Sequence, residues 1–150
     1  MNIRPATPND VPALLEIERG AATAAHWTEA EYRGLLQPIE NSHCTLLVAE
    51  VHGSAVGFLS AKCLGEQCEI ENIVVRAEFQ RRGTAHALLQ RFLAQAKERG
   101  VREVLLEVRS SNRAARELYA KCNFSVTGNR RAYYHAPEDD AVLYKLDLSG

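Results

Sequence analysis

Six consecutive residues, Gln80, Arg81, Arg82, Gly83, Thr84 and Ala85, stand between an apolar run, Ile70 to Val75, and a helical segment that ends near Arg99. Small residues at 83 and 85 let the backbone come close to a ligand. The first turn of the following helix offers N–H groups without intrahelical partners at the positive end of the helix dipole. Those conditions suit a pyrophosphate, and Arg81 and Arg82 add positive charge at the rim. A larger side chain at 83 or 85 would hold the ligand away from those N–H groups. Taken alone, the loop reads equally as an ordinary strand-to-helix turn with solvated arginines, because short glycine motifs recur by chance. No second glycine and no Gly-Lys-Ser or Gly-Lys-Thr follows, which argues against NAD and ATP as the phosphate ligand.

Metal and thiol chemistry find little support. Cys44, Cys63, Cys68 and Cys122 are scattered without a C-x-x-C pair, and the histidines at 26, 43, 52, 86 and 135 show no ligand spacing, so no metal is expected. Cys63 and Cys68 can face each other across a hairpin whose turn contains Gly65, but free thiols are the expectation in a reducing compartment.

Several elements must position the phosphate loop. Asn2 to Ala6 reads as a first strand. Thr7 then caps a helix that has Pro8 at its first position and Asp10 reaching back, with Val11, Leu14, Leu15 and Ile17 at helical spacing to about Arg19. Thr28 with Glu31 repeats the capping pattern before Tyr32, Leu35 and Leu36, predicting a short helix that ends before Pro38. Two β-rich runs, Cys44 to Val51 and Val56 to Leu64, flank His52, Gly53 and Ser54 as a hairpin. A third run, Cys68 to Val75, leads into the loop. Ala85, Leu88, Leu89, Phe92, Leu93 and Ala96 then follow the i, i+3, i+4, i+7 pattern of an amphipathic helix closed by Gly100. Val101 to Val108 is dense enough in Val and Leu to be a strand covered on both faces. Asn112 or Ser111 caps a helix from Arg113 to Lys121, and Phe124 to Val126 and Val142 to Leu148 supply two closing strands.

The run from the fourth strand through the long helix to the fifth is a βαβ unit. Its strands should be parallel, with a ligand at their carboxyl ends. That edge holds Gln80 to Ala85 together with Glu107, Val108 and Arg109.

At 150 residues the chain has the size of one compact domain with one core, 1–150. Eighteen Lys and Arg against nineteen Asp and Glu leave a formal charge of −1, and nothing in that balance points to nucleic acid. No apolar run reaches the length of a membrane span. The start Met1, Asn2, Ile3, Arg4 lacks the apolar centre of a secretory signal, so a cytoplasmic protein free of membrane partners is expected.

Gln80, Gly83 and Ala85 match the acyl-CoA pyrophosphate signature of the GNAT acetyltransferases: Gln or Arg, two residues, Gly, one residue, Gly or Ala. The chain resembles that family through this loop, the helix after it and the segment Leu106 to Ala115. Within it, the chain is similar to the bacterial ribosomal protein alanine N-acetyltransferases. The stretches that carry that likeness are Leu118 with Tyr119, Arg131 followed by Tyr133 and Tyr134 ahead of Glu138 to Ala141, and His26 to Glu29. Three departures stand out. His135 occupies a position where proline is common, in a segment between Tyr134 and Ala141 that is a little shorter than usual. Asn123 stands where the family has Gly, and because Asn tolerates the left-handed conformation the helix end is expected to survive.

The resemblance implies an α/β fold of the GNAT type: a mixed, mostly antiparallel central sheet with splayed parallel strands four and five, and helices on both faces. It implies acetyl-CoA as cosubstrate, without a metal, in a ternary complex with the acceptor. Glu107 matches the general base, acting directly or through water. Since a glutamate ordinarily titrates near pH ~4.3, either burial raises it or a relay shares the work. The residues alone also allow a strand-end carboxylate paired with an arginine. Tyr119 matches the acid that protonates the CoA thiolate and touches the cofactor, although its spacing equally fits a core tyrosine. Asn112 both caps its helix and reaches the pantetheine arm. Backbone groups of Ile73, Val74 and Val75 are implied to hold the acetyl carbonyl and pantetheine amides along the free strand edge. Glu69 and Glu71, two residues apart, either attract the incoming ammonium or form a solvent face; Tyr133 and Tyr134 either wall the acceptor groove or anchor a hairpin.

An α-amino group of pKa about 8 is neutral in roughly a tenth of molecules at pH 7, against well under a thousandth for lysine. A weak base therefore suffices for a peptide N-terminus, and the N-terminal alanine of a small-subunit ribosomal protein is the expected acceptor. A small amine, another protein's N-terminus, and a silent acyl-CoA sensor are the alternatives. A monomer or weak dimer is expected.

Overall fold

The computed structural model describes residues 1–20, 27–36 and 44–148. Its centre is a seven-stranded sheet in the order β1-β2-β3-β4-β5-β7-β6. The strands are β1 (Asn2–Pro5), β2 (Cys44–Val51), β3 (Ser54–Leu64), β4 (Gln67–Val75), β5 (Glu103–Arg109), β6 (Ser125–Tyr134) and β7 (Asp139–Asp147). The helices are α1 (Val11–Arg19), α2 (Glu29–Leu35), α3 (Thr84–Glu98) and α4 (Arg113–Lys121). Every neighbouring pair is antiparallel except β4 with β5, the pair joined through α3. This is the mixed, mostly antiparallel sheet that the sequence resemblance implies, and the crossover dictates the parallel pair, since a strand leaving through a helix returns in the same direction.

The two faces carry separate apolar clusters. On one, Val11, Leu14, Ile17 and Tyr32 from α1 and α2 pack on Leu46, Val48, Phe58 and Val74. On the other, Leu88, Leu89, Phe92, Leu93 and Ala96 of α3 cover Leu47, Leu59, Ile70, Val104 and Leu106. Full burial of each Leu or Phe stabilises the fold by roughly 2 kcal/mol relative to exposure, so α3 is held by its amphipathic stripe. Its end is set by Gly100, at φ 83°, where the Gly100 N–H reaches Lys97 O and the Val101 N–H reaches Ala96 O.

The first helix starts as the sequence suggests. Thr7 precedes a 3₁₀ turn, Pro8–Asp10, in which the Asp10 carboxylate accepts from the Thr7 N–H at 2.7 Å, and α1 continues from it. Arg4 grips the same carboxylate with both terminal nitrogens at 2.8 Å and Glu50 with Nε at 2.9 Å. That hydrogen bonding holds Asp10 below the ordinary carboxylate range. Thr28 and Glu31 cap α2 reciprocally, whereas His26 and Pro38 lie outside the described residues.

Three expectations are corrected. β6 is a ten-residue strand beginning at Ser125, not a short stub ending at Val126, so Tyr133 and Tyr134 lie within it. Almost every β6 side chain is exposed, so no inward alternation marked it; as the sheet's edge it is held by hydrogen bonds to β7. β5 alternates instead of being covered on both faces: Val104, Leu106 and Val108 are buried, while Glu103, Leu105, Glu107 and Arg109 are half-buried. Finally, Cys63 and Cys68 are bonded as a disulfide, not free thiols, because β3 and β4 place them directly opposite each other with Cα atoms 4.0 Å apart.

Closing so short a loop restricts the unfolded chain modestly. Reducing the bridge, or replacing both cysteines by alanine, is expected to lower the unfolding free energy by roughly 2 kcal/mol, measured as the difference between urea denaturation curves with and without reductant. Coincident curves would show that the bridge contributes nothing.

Candidate active site

The parallel pairing of β4 with β5 runs only from Gln67–Glu103 to Ile70–Leu106. Beyond that point β4 continues to Val75 on its bonds to β3, and β5 continues to Arg109 on its bonds to β7. A β-bulge accompanies the separation: Ala61 faces Ile70 but Ser60 faces Asn72, which leaves Glu71 without an opposite residue. A bulge bends its strand and increases local twist, carrying the end of β4 away from β5. The result is a cleft of about 1250 Å³ between the strand ends, walled by the phosphate loop and the start of α3 on one side and by α4 and Tyr134 on the other.

The loop is built for backbone donors. A 3₁₀ turn, Ala77–Phe79, follows β4, and Gln80 Nε2 donates to Val75 O at 3.0 Å, tying the loop to the strand end. Arg81 and Gly83 both take left-handed backbone, at φ 62° and 81°, and Gly83 is the N-cap of α3. The first bond of the helix runs from the Ala87 N–H to Gly83 O, so the N–H groups of Thr84, Ala85 and His86 precede any intrahelical acceptor. A Cβ on Gly83 would meet no protein atom within 4 Å. The space beside these donors is open, which is the condition an anion requires.

On the facing wall Asn112 caps α4, its Oδ1 accepting from the Ala115 N–H at 3.2 Å. The turn before it is pinned to β7: the Ser111 hydroxyl donates to Asp139 Oδ2 at 2.5 Å, and the Ser110 N–H donates to Asp140 O at 2.9 Å. Tyr119 is only 6% exposed, with Phe124 and Tyr144 ring centroids 5.6 and 5.8 Å away. Burial pushes its phenol above the usual range, and neighbouring Tyr134, Cys122 and Tyr144 add to the effect, so it holds its proton at neutral pH. The end of α4 supports this ring. Asn123 adopts φ 69°, and the Phe124 N–H turns back to Tyr119 O at 3.0 Å.

Glu107 lies between buried Leu106 and Val108 and therefore projects from the sheet face opposite α3. Arg130 Nη2 stands 3.6 Å from its Oε1. Tyr134 reaches the cleft under the Arg109 guanidinium, 4.5 Å from the ring centroid, and Arg109 Nη1 also donates to Pro137 O at 2.7 Å. Partial enclosure, and then the Glu107 carboxylate, raise the Tyr134 phenol.

The cleft thus gathers Glu71, Ile73, Val74, Val75, Gln80, Arg81, Gly83, Thr84, Ala85, Glu107, Asn112, Tyr119 and Tyr134. Three expected residues fall outside its lining. Arg82 lies over the Phe79 ring at 5.4 Å. Glu69 sits in the paired part of β4, opposite Leu105, although its charge reaches Glu71, whose carboxyl is raised first by partial enclosure and then by Glu69. Tyr133 packs edge-on against Tyr134 and beneath Arg130 at the surface. Sequence reasoning missed Asn72, His86, Arg113 and Lys121, which also line the cleft. The last three carry no pattern beyond ordinary surface polarity. Asn72 did carry a signal, a polar residue interrupting an apolar run. Among the described residues no group of three or more His, Cys, Asp or Glu could hold a metal, and no helix is long and apolar enough to cross a membrane.

Residues 11–124 match the model of the acetyltransferase (GNAT) family. The chain belongs to that family. As such it is an acetyl-CoA-dependent N-acetyltransferase. It is 30% identical over 142 residues to the ribosomal protein bS18-alanine N-acetyltransferase of Escherichia coli K12, covering 93% of each chain. The crystal structure of the Escherichia coli ribosomal-protein-S18-alanine N-acetyltransferase superposes with a TM-score of 0.89 at 28% identity, covering 99% of this chain and 94% of that one. The fold is shared with the Salmonella typhimurium protein yncA, solved with its cofactor acetyl-CoA, at a TM-score of 0.86 and 21% identity, covering 100% of this chain and 95% of that one.

The left-handed residue behind Tyr119 can be checked in this acetyltransferase by stability alone. Asn123→Ala is expected to cost about 1 kcal/mol in urea denaturation, and Asn123→Gly to equal or exceed the parent, because a side chain without a local polar group is disfavoured at positive φ.

Proposed function

We propose that this acetyltransferase, read as one catalytic domain over 1–150, transfers the acetyl group of acetyl-CoA to the N-terminal amine of a protein, and that its acceptor is the N-terminal alanine of a small-subunit ribosomal protein. The observation that carries the chemistry is the convergence, in the gap between β4 and β5, of a donor-rich helix start, a carboxylate and a buried phenol. The acceptor assignment draws on relatives named for bS18 alanine acetylation that span 93% of this chain.

Acetyl transfer from a thioester needs a neutral amine, stabilisation of the oxyanion and a proton for the departing thiolate. The pyrophosphate lies against the N–H groups of Gly83 to His86, flanked by Arg81 and Arg82. The pantetheine arm takes the place of the missing strand beside Ile73, Val74 and Val75, whose backbone donors also face the acetyl carbonyl. Asn112 keeps its Nδ2 for the arm while its Oδ1 caps α4. Glu107, directly or through one water, receives the amine proton once the acceptor displaces Arg130. Tyr119, held protonated by its burial, returns a proton to the thiolate. Glu69 and Glu71 draw the cationic N-terminus toward the cleft, and Tyr133 and Tyr134 wall the acceptor's path. No covalent enzyme intermediate is required.

Calorimetric titration with acetyl-CoA is expected to give a one-to-one isotherm that Gly83→Val abolishes, since that side chain would fill the open space and strain the left-handed backbone; retained affinity would overturn the phosphate-loop reading. Glu107→Gln should lower turnover by roughly 10²-fold while leaving acetyl-CoA affinity nearly intact, and Tyr119→Phe should likewise lower turnover by roughly 10²-fold or more. A normal rate in either variant removes that residue from the mechanism. Intact-mass spectrometry of ribosomal proteins incubated with enzyme and acetyl-CoA identifies the acceptor by a gain of one acetyl group; free-amine acetylation without any ribosomal protein product would shift the assignment to a small-molecule substrate.

A further inference from the structure

Asn72 is 8% exposed and lines the cleft, yet its Nδ2 is fully enclosed with no hydrogen-bond partner. The Oγ of Ser60, directly across the strand pair, is equally enclosed and unpartnered. A buried polar atom left alone is costly and calls for an explanation. Both residues stand at the bulge, at the level where β5 has left β4. Because Nδ2 is enclosed, Oδ1 is the polar atom that Asn72 has left to present to the cleft it lines.

The face it occupies can be read from its neighbours. Val74 and Phe58 belong to the cluster under α1 and α2, and Asn72 precedes Val74 by two residues, so its side chain projects to that face. Glu107 projects to the same face from β5, because Leu106 and Val108 on either side of it pack toward α3. Asn72 and Glu107 are thus the two polar jaws of the opening, one on each separated strand.

A neutral amine aligned for attack points its lone pair at the thioester carbon and carries two N–H groups. One faces the base. The other, in an enclosed cleft, needs an acceptor of its own. We propose that Asn72 supplies it: Oδ1 accepts the second N–H of the acceptor amine opposite Glu107, and Ser60, by bonding the inward amide edge directly or through one buried water, keeps that oxygen turned to the cleft. The inference rests on reading the cleft as the transferase site and adds an acceptor-binding residue to it.

The test is steady-state acetylation of a synthetic peptide with a free N-terminal alanine, paired with calorimetric acetyl-CoA titration of each variant. Asn72→Ala should lower kcat/KM for the peptide by about 10- to 100-fold with acetyl-CoA affinity unchanged. Asn72→Asp, which keeps an oxygen in the same place, should recover most of the loss. Should Asn72→Ala fail to fold, Asn72→Leu preserves the volume without an acceptor and is read in the same way. Unchanged peptide kinetics, a parallel fall in acetyl-CoA affinity, or an Asp variant as poor as Ala would each overturn the proposal. Failure of the unmodified enzyme to acetylate the peptide would instead count against the peptide acceptor, and a primary amine that it does acetylate then replaces the peptide in the same comparison.

Discussion

Four residue pairs, and then none, define the relation between β4 and β5. The strands are parallel neighbours as far as Ile70 and Leu106, and each then follows its other partner, β4 staying with β3 and β5 with β7. Backbone donors and acceptors left unmatched inside a sheet are costly unless something occupies the gap. An extended chain with amide groups of its own satisfies them as a third strand would. The rest of the cleft is arranged around that geometric fact: the donor-rich start of α3 and the buried Tyr119 of α4 line it from facing walls, and Asn72 and Glu107 line it from the two separated strands.

Rigid supports surround an opening that has to stay open. α3 is fixed by its apolar stripe, the turn before α4 by Ser110 and Ser111 on β7, and Tyr119 by aromatic neighbours and a left-handed helix end at Asn123. Below the gap, the Cys63–Cys68 bridge ties β3 to β4 in the region where β4 and β5 remain paired. The bulge at Glu71 concentrates the bend in one residue, so the strands on either side remain regular.

Charge is distributed to match two different visitors. Arg81, His86, Arg113 and Lys121 line the walls made by the phosphate loop, α3 and α4, whereas Glu71, with the charge of Glu69 beside it, and Glu107 line the cleft from the separated strands. The Glu107–Arg130 pair is partly exposed and so contributes little to stability, which leaves the carboxylate available to a competing cation.

Local patterns in the sequence were enough for the elements that have strong local causes. The α3 stripe, the Thr28 and Asn112 caps, the glycine stops and the phosphate loop all depend on residues within a few positions of one another, and each sits where its pattern placed it. Tertiary structure alone decided what depends on partners distant in the chain. β6 lacks an apolar alternation because it is an edge held by β7, the cysteines pair because a hairpin register sets them opposite each other, and Asn72 becomes an orphan in the cleft wall only because the bulge rotates it there. Register, splay and bulge follow from how strands compete for neighbours, a choice made by the whole sheet and legible in none of its strands separately.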